Sequence, residues 1–325
     1  MALRLIYDIR ITTSSNKVLV FDYVNDVEVV SSFNMLTSTA KITLPRNYQV
    51  TNGVELKSLI SPGNKVSIQC GYNTTLNTEF IGVISRIDPS VPFVIYCEDY
   101  MWYLKQVTIS KSYSSVTLKK LMNEIVPKSI KTVVVDVDLG SFRINSATVS
   151  SVLDYIKQQY GIISYFRGET LYAALGGWSF DKYKKSAAKE VTVHFQKNMI
   201  SESLEFRTKL DAKVKVHASS VHADGTVIKY SVGDEGGDTR SLHLPNNLPL
   251  ETVKNMAKES IDKFKIDGYS GSFTTFGEPF FEHGYAVNLI NDLWPERNGR
   301  YRIDKTIMRS GTNGYRRIGE ISNKI

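Results

Sequence analysis

The chain is poor in cysteine and has no segment suited to spanning a membrane. Only Cys70 and Cys97 occur among its 325 residues, and both lie in apolar strand-like patterns, so we expect buried free thiols. A disulfide between them would require neighbouring strands, and a reducing cytoplasm disfavours it. No run approaches the roughly 20 apolar residues that cross a bilayer. The N-terminal sequence MALRLIYDIRITT lacks a basic segment before an apolar core, so we expect synthesis in the bacterial cytoplasm without a signal peptide.

The residue patterns of common catalytic and metal sites are also missing. None of the five histidines falls at i, i+4 on a predicted helix or pairs with a cysteine at zinc-finger spacing. Asp136-x-Asp138-x-Gly140 resembles the start of a calcium loop but lacks the downstream Glu. Glu98 and Asp99 are adjacent on a strand, so they point to opposite faces, and we expect both at a strand end that is exposed to water. We predict no catalytic, cofactor-binding or metal-binding residue, and a protein that is not an enzyme.

The positive charge of the chain is unevenly distributed. The formal net charge is +7, yet residues 1–110 contain equal numbers of acidic and basic side chains, and most of the excess falls within 111–188. A nucleic-acid binder would be expected to carry a denser basic stripe with aromatic residues beside it. We therefore predict no sequence-specific nucleic-acid partner. The missing apolar span and catalytic patterns also predict no membrane partner and no small-molecule substrate. Three clustered lysines are candidates for contact with an acidic partner: Lys182, Lys184 and Lys185.

Alternation and turn signals predict an all-β unit over residues 1–108. Lys65 to Cys70 alternates polar and apolar residues, which is typical of a strand buried on one face. Glu79 to Asp88 begins with apolar residues on both faces, and Phe93 to Cys97 is continuously apolar, so we expect cover on both sides of these strands. Gly82 interrupts the first of the two and indicates a bulge or a close backbone approach.

The composition changes after this unit. Residues 109–189 combine two helical patterns with short strands and predict an α/β domain followed by a linker. The chain is β again over 190–220 and 268–325, which we predict to form a second β-barrel, with a hairpin, a loop and a helix inserted at 221–267. The predicted fold class is therefore α+β and mainly β, with two small tube-like antiparallel β-barrel domains and two smaller α/β pieces.

Several motifs resemble one known family. In chain order they are Gly-x-x-Val-x-Ile-x-x-Gly-Tyr at 63–72, Phe-x-Gly-x-Ile at 80–84, Cys-Glu-Asp at 97–99, Tyr-Gly-Ile-Ile-x-Tyr-Phe-Arg-Gly at 160–168 and Gly-Arg-Tyr-Arg-Ile at 299–303. This order resembles the late control D family of phage tail proteins, the baseplate hubs of contractile tails, which are related to the N-terminal part of type VI secretion VgrG spike proteins. One departure is Met308-Arg309, where many relatives have His at the end of a strand.

The resemblance implies a structural, non-enzymatic baseplate hub of a phage tail or contractile injection system, located in the virion tail or baseplate. Two similar barrels per chain in a homotrimer would form a six-fold-like ring. That ring would join the hexameric tail tube protein to the trimeric central spike protein. Such a ring needs strands that are covered on one face by the barrel core and on the other by the next subunit. Six residues in the two apolar strands are therefore candidates for the subunit interface: Phe80, Ile81, Val83, Ile84, Phe93 and Ile95.

A carbohydrate-binding or cell-wall-degrading tail module stays open as an alternative. It would need a cleft with exposed aromatic side chains and, for hydrolysis, two carboxylates that face each other. Three tryptophans are candidates for stacking on sugars, each next to a predicted turn or linker: Trp102, Trp178 and Trp294.

Overall fold

The computed structural model describes residues 4–45, 56–175, 189–211, 213–244, 246–265 and 267–324. Over these ranges the protein is mainly β, with large antiparallel sheets and few helices, which confirms the predicted class of α+β and mainly β. None of the helices in these ranges has the length and apolar composition that a bilayer span requires. The same ranges contain no group of three or more side chains placed to hold a metal ion.

The first β unit contributes seven strands to the largest sheet. They are β1 Leu5–Thr12, β2 Val18–Phe21, β3 Asp26–Ser32, β4 Thr39–Thr43, β5 Lys65–Tyr72, β6 Thr75–Asp88 and β7 Val94–Glu98; helix α1 Leu56–Leu59 precedes β5, and helix α2 Met101–Leu104 follows β7. The strands are antiparallel to their neighbours in the order β3-β4-β7-β6-β5-β1-β2. Alternating apolar residues such as Ile9, Ile42 and Ile68 form the core of this unit.

Two predictions within this unit are confirmed. Cys70 and Cys97 are buried free thiols on β5 and β7, which β6 separates, and burial raises the pKa of both. Gly82 marks a close backbone approach, because a Cβ atom at this position would lie 2.1 Å from the carbonyl oxygen of Glu98. The ladder irregularities fall beside it rather than on it.

The α/β piece packs against the first unit. Its elements are β8 Thr108–Tyr113, α3 Leu118–Ile125, β9 Lys131–Val134, β10 Phe142–Thr148, α4 Val149–Tyr160, β11 Ile162–Arg167 and β12 Thr170–Leu175. β8 pairs with β10, and β11, β12 and β9 form a second small sheet. Val83, Met101 and Leu104 of the first unit lie in the same core as Leu121 and Leu153 of the two helices. The piece therefore completes its core with residues of its neighbour, as expected for so small a segment.

The second β unit is interrupted by an insertion. The unit begins with β13 Glu190–His194 and β14 Met199–Arg207. The insertion follows with β15 Val214–Val221, β16 Val227–Gly233, β17 Asp238–His243 and α5 Leu250–Phe264. The unit then resumes with β18 Gly268–Phe276, β19 Ala286–Ile290, a short 3-10 helix at Pro295–Arg297, β20 Gly299–Gly311 and β21 Gly314–Lys324.

The insertion begins earlier than the sequence predicts. We expected the strand near 212–219 to belong to the second barrel and the insertion to start at 221. β15 instead pairs with β16 and β17 in a separate three-stranded sheet. Its buried side chains Val214, Val216 and Ala218 pack against Val253 and Ala257 of α5. The alternation in β15 shows only that one face is buried, and a helix rather than a barrel covers that face.

The two β units share one strand topology. The first unit has the order β3-β4-β7-β6-β5-β1, and the second has the order β14-β18-β21-β20-β19-β13. The equivalent strands also follow one another in the same order along the chain. The units differ at the last pair, since β1 is antiparallel to β5 whereas β13 is parallel to β19. The fold therefore contains a structural repeat.

Candidate functional site: the seam between the two β units

β3 and β20 join the two units into one continuous sheet. They pair antiparallel along the whole of β3, and residues directly opposite each other point to the same face. On one face, the guanidinium of Arg309 lies 2.7 Å from the carboxylate of Glu28, and both side chains are accessible to solvent. On the other face, Met308 lies opposite Val29, and both are buried. The seam thus has one polar face and one apolar face.

An ionic cluster links the two units beneath the apolar face. Arg317 on β21 donates a hydrogen bond of 2.5 Å to a carboxylate oxygen of Glu79 on β6, and the hydroxyl of Tyr315 donates to the same oxygen. The side chains of Arg317 and Glu79 are only 3% and 2% exposed. Because Glu79 belongs to the first unit and the other two residues to the second, the cluster holds the units in a fixed relation.

The surroundings of Arg317 complete its hydrogen bonding. Its Nε donates to the carbonyl oxygen of Gly277 and one Nη donates to that of Phe281, each at 3.2 Å. The guanidinium carbon lies 4.6 Å from the ring centre of Phe280, which adds a cation–π contact. Burial is the main cause that raises the pKa of Tyr315, so its hydroxyl remains a donor. A charged pair that is enclosed and hydrogen-bonded in this way serves as a structural tie.

Glu79 reaches the cluster because the ladder between β5 and β6 is irregular. Ile68 pairs with Phe80 and Gln69 pairs with Thr78, so Glu79 has no opposite residue. A bulge of this kind turns one side chain out of the regular alternation. The sequence shows Glu79 at the start of an apolar strand but gives no sign of its partners, which lie more than 200 residues further along the chain.

A second buried cluster connects three parts of the chain. The ring of His283 lies edge-on to Phe33 of the first unit and to Tyr165 of β11, with ring centres 4.8 and 4.9 Å apart. Its Nδ1 is 3.0 Å from the Oγ of Ser31, and its backbone oxygen accepts a hydrogen bond of 2.7 Å from Arg167. Burial, reinforced by the charge of Arg167, lowers the pKa of His283 to about 3. The imidazole is therefore neutral in the folded protein.

The predicted interface residues lie largely inside the single chain. Four of the six are buried: Phe80, Ile84 and Ile95 in the core of the first unit, and Val83 in the core shared with the α/β piece. At Val83, the second cover that we assigned to a neighbouring subunit comes from the same chain. Ile81 and Phe93 are half-buried against these cores, and their contact with a second subunit stays a prediction.

The other candidates are not brought together. Lys182, Lys184 and Lys185 lie outside the described residues, as does Trp178. Trp102 is half-buried against the core of the α/β piece, and Trp294 is half-exposed with the guanidinium of Arg297 4.7 Å from its ring centre. Neither the acidic-partner surface nor the sugar-stacking hypothesis gains support from these positions.

Asp99 is buried, contrary to the expectation of a water-exposed strand end. Its carboxylate oxygens accept backbone hydrogen bonds from Ser38 at 2.7 Å and Met101 at 3.0 Å. Burial raises the pKa of Asp99 to about 7. Glu98 remains accessible and bonds to Lys105 at 2.5 Å. The expectation is wrong for Asp99 because backbone N–H groups provide the partners that water would otherwise provide.

Comparison with known proteins finds likeness in structure only. No family model and no curated protein matches the chain. The tail protein from Neisseria meningitidis MC58 matches with a TM-score of 0.61 at 15% identity, over 98% of this chain and 96% of that one. The 43 kDa tail protein of prophage MuSo2 from Shewanella oneidensis matches with a TM-score of 0.63 at 15% identity, over 98% of both chains.

A third match comes from secretion systems. An E. coli component of the type VI secretion system, which exhibits structural similarity to T4 bacteriophage tail proteins gp27 and gp5, gives a TM-score of 0.56 at 9% identity, over 92% of this chain and 73% of that one. The fold is thus that of phage tail proteins, and it also occurs in the type VI machinery. The predicted resemblance to the hub and VgrG-related proteins is confirmed at the level of fold.

Proposed function

We propose that the protein is a structural hub of a phage tail or related contractile injection machine and has no enzymatic activity. Three chains form a ring of six β units, which joins the hexameric tail tube protein to the trimeric central spike protein. The working location is the virion tail or baseplate. The observation that carries this proposal is the presence of two topologically equivalent β units in one continuous sheet.

A structural repeat inside one chain allows a trimer to contact partners of three-fold and of six-fold symmetry. A ring of three chains has three-fold symmetry, which suits a trimeric spike, while its six similar units approximate the six-fold symmetry of a tube. Closed rings of this type are built from head-to-tail contacts in which each edge meets the opposite edge of the next unit. The full-length likeness to tail proteins supports the same role.

The seam clusters fit a part that must hold two assemblies together. The buried pair of Glu79 and Arg317 and the packing around His283 tie the two β units to each other and to the α/β piece. If the two β units of a chain shifted independently, the ring would lose its match to the tube and spike proteins. Contacts of this kind keep the two β units of each chain in a fixed arrangement.

Electron microscopy of the chain mixed with its cognate spike and tube proteins tests the proposal. We expect three-fold particles with six similar lobes around an axis, with the spike on one side and the tube on the other. Particles that contain a single copy of the chain, or no complex with either protein, would contradict the hub role. Binding to isolated cell wall, with loss of binding after substitution of the exposed tryptophan, Trp294→Ala, would favour the alternative module instead.

A further inference from the structure

We propose that the loop between β19 and β20, residues 291–298, is a docking surface for the trimeric spike protein, with the exposed side chains of Leu293 and Trp294 at its centre. This assignment rests on the proposed hub function and names the site of one of its contacts. The partner that fits is a protein of three-fold symmetry that offers an apolar groove or pocket to each of three chains.

The tip of this loop holds two large apolar side chains in water. Leu293 is 74% exposed and Trp294 is 50% exposed, while Leu210, in the connection that follows β14, is 95% exposed. Each neighbouring pair in the order β14-β18-β21-β20 is antiparallel, so the end of β14 and the start of β20 lie at the same end of the sheet. Three exposed apolar side chains therefore emerge at one end of the second β unit. A concentration of this kind marks a contact with another protein better than scattered apolar residues do.

The loop closes this end of the second unit and fixes the exposed indole there. The guanidinium carbon of Arg297 lies 5.0 Å from the ring centre of Phe206 and 4.7 Å from a ring centre of Trp294. Phe206 packs against the core of the unit, and cation–π contacts join each ring to the guanidinium between them. Trp294 is thus connected to the core, although half of its own surface is in contact with solvent.

Hydrogen bonds to the turn after β13 hold the base of the loop. The side-chain amide of Gln196 donates to Oδ1 of Asn291 at 2.9 Å and accepts from the backbone N–H of Asp292 at 3.2 Å. The same Asn291 oxygen accepts the backbone N–H of Leu293 at 3.0 Å, and Nε2 of His194 lies 3.1 Å from Oδ1 of Asp292. A surface that is ordered in advance loses less conformational entropy when a partner covers it. The loop is therefore organised for binding within the single chain.

Within the described residues, the first β unit has no counterpart of this loop. Its β5 and β6, the equivalents of β19 and β20, are joined by residues 73 and 74 alone. At the same end of that unit, Leu36 in the connection between β3 and β4 packs against the core of the α/β piece. None of the apolar side chains in residues 33–38, all of which the structure describes, is exposed. The chain thus covers this part of the first unit itself and leaves the second unit open.

The difference between the two units selects the partner. A hexameric tube presents six identical surfaces to six β units, so its contacts must use features that both units possess. The loop occurs once per chain and three times in the ring, which matches the number of equivalent positions on a trimeric spike. The two units of a chain meet side by side through β3 and β20, whereas the loop lies at the strand ends. The spike is therefore the partner that the loop fits.

Binding of the full chain to the cognate spike protein and to the cognate tube protein tests the site. Leu293→Glu places a charge on the more exposed of the two side chains, and Trp294→Ala removes the indole. Because a few central residues carry most of the binding energy of an interface, each change should weaken the affinity for the spike at least about ten-fold. Biolayer interferometry measures this loss, and the affinity for the tube protein should stay unchanged.

Tyr155→Ala is the matched control. Tyr155 lies on α4 and is 49% exposed, nearly the same fraction as Trp294, so its loss should leave both affinities unchanged. Leu293→Glu should also keep the urea midpoint of the natural protein, since the side chain is mostly in solvent. That variant tests the contact even if Trp294→Ala loosens the loop.

The possible failures of this assignment and of the hub role are distinguishable. Unchanged affinity for the spike in both loop variants, or loss of the tube contact in place of the spike contact, would overturn the assignment while leaving the hub role intact. Loss of the three-copy particle in light scattering, at spike concentrations that saturate the variants, would place the loop between chains and also overturn it. A natural chain that binds neither protein would overturn the hub role itself.

Discussion

Removal of Arg317 should destabilise the protein strongly, because its buried guanidinium is paired with the buried carboxylate of Glu79. Arg317→Met keeps the length and apolar body of the side chain but leaves the carboxylate of Glu79 buried without its cation. Removing one partner of a buried, hydrogen-bonded ion pair costs about 3–5 kcal/mol in the free energy of unfolding. The loss in the free energy of unfolding should be close to that range, because the three hydrogen bonds that Arg317 donates to Glu79, Gly277 and Phe281 disappear together.

The double variant separates charge from packing. Glu79→Gln combined with Arg317→Met removes both charges, so the destabilisation should be smaller than the sum of the two single effects. Arg309→Met is the matched control, since Arg309 pairs with Glu28 on the open face of the same sheet with side chains 55% and 33% exposed. Exposed pairs contribute about 0–1 kcal/mol, so this variant should unfold almost like the natural protein.

Urea unfolding followed by circular dichroism and by tryptophan fluorescence measures these differences. The prediction is refuted if Arg317→Met costs no more than Arg309→Met, or if the two single substitutions at the cluster add without interaction. Either result would mean that the buried pair does not tie the two β units together.

Three further predictions concern Asp99, His283 and Gly161. The pKa of Asp99 is raised to about 7 from 3.8, so the folded state favours the protonated carboxyl. Its contribution to the free energy of unfolding is complete below about pH 4 and is lost as the pH rises to 7. Asp99→Asn should flatten that part of the stability profile, and an unchanged slope in urea titrations would contradict it. The pKa of His283 is lowered to about 3 from 6.5, so the folded state favours the neutral ring. Its contribution to the free energy of unfolding is complete above about pH 6.5 and is lost as the pH falls towards 3. His283→Gln should reduce acid destabilisation over that window, whereas equal acid sensitivity in both proteins would refute it. Gly161→Ala should cost at least about 1 kcal/mol in the free energy of unfolding, because Gly161 has φ of 65° and a Cβ there would lie 2.2 Å from the ring of His243. A neutral effect on the urea midpoint would contradict this prediction.

Local features of the fold could be predicted from the sequence. The alternation of Lys65 to Cys70 correctly indicates β5, and Gly161 ends α4 in the left-handed conformation that its position predicts. The burial of Cys70 and Cys97 follows from the same patterns. These features depend on residues that are close in sequence, where side-chain period and backbone preference act directly.

Long-range features could not be predicted. Glu79 and Arg317 meet only through the pairing of distant strands, and each lies in a segment whose pattern indicates an ordinary strand. The structural repeat is not visible as a repeat of residues, because equivalent positions hold unlike residues; only the family resemblance predicted two similar units. Cys97 and Arg317 each lie three residues after the first pair of their hairpins, yet one is a thiol and the other a guanidinium. The order of the family motifs along the chain indicated the fold class, whereas comparison of residues between the two units did not reveal the repeat.

The mass of the assembly in solution tests the hub role most directly. Light scattering of the chain, alone and with the cognate spike protein, should give three copies of the chain per particle in at least the second sample. Association of three copies would agree with a ring of six β units that receives a trimeric spike. A chain that remains a monomer in the presence of both the spike and the tube proteins would contradict the proposed function.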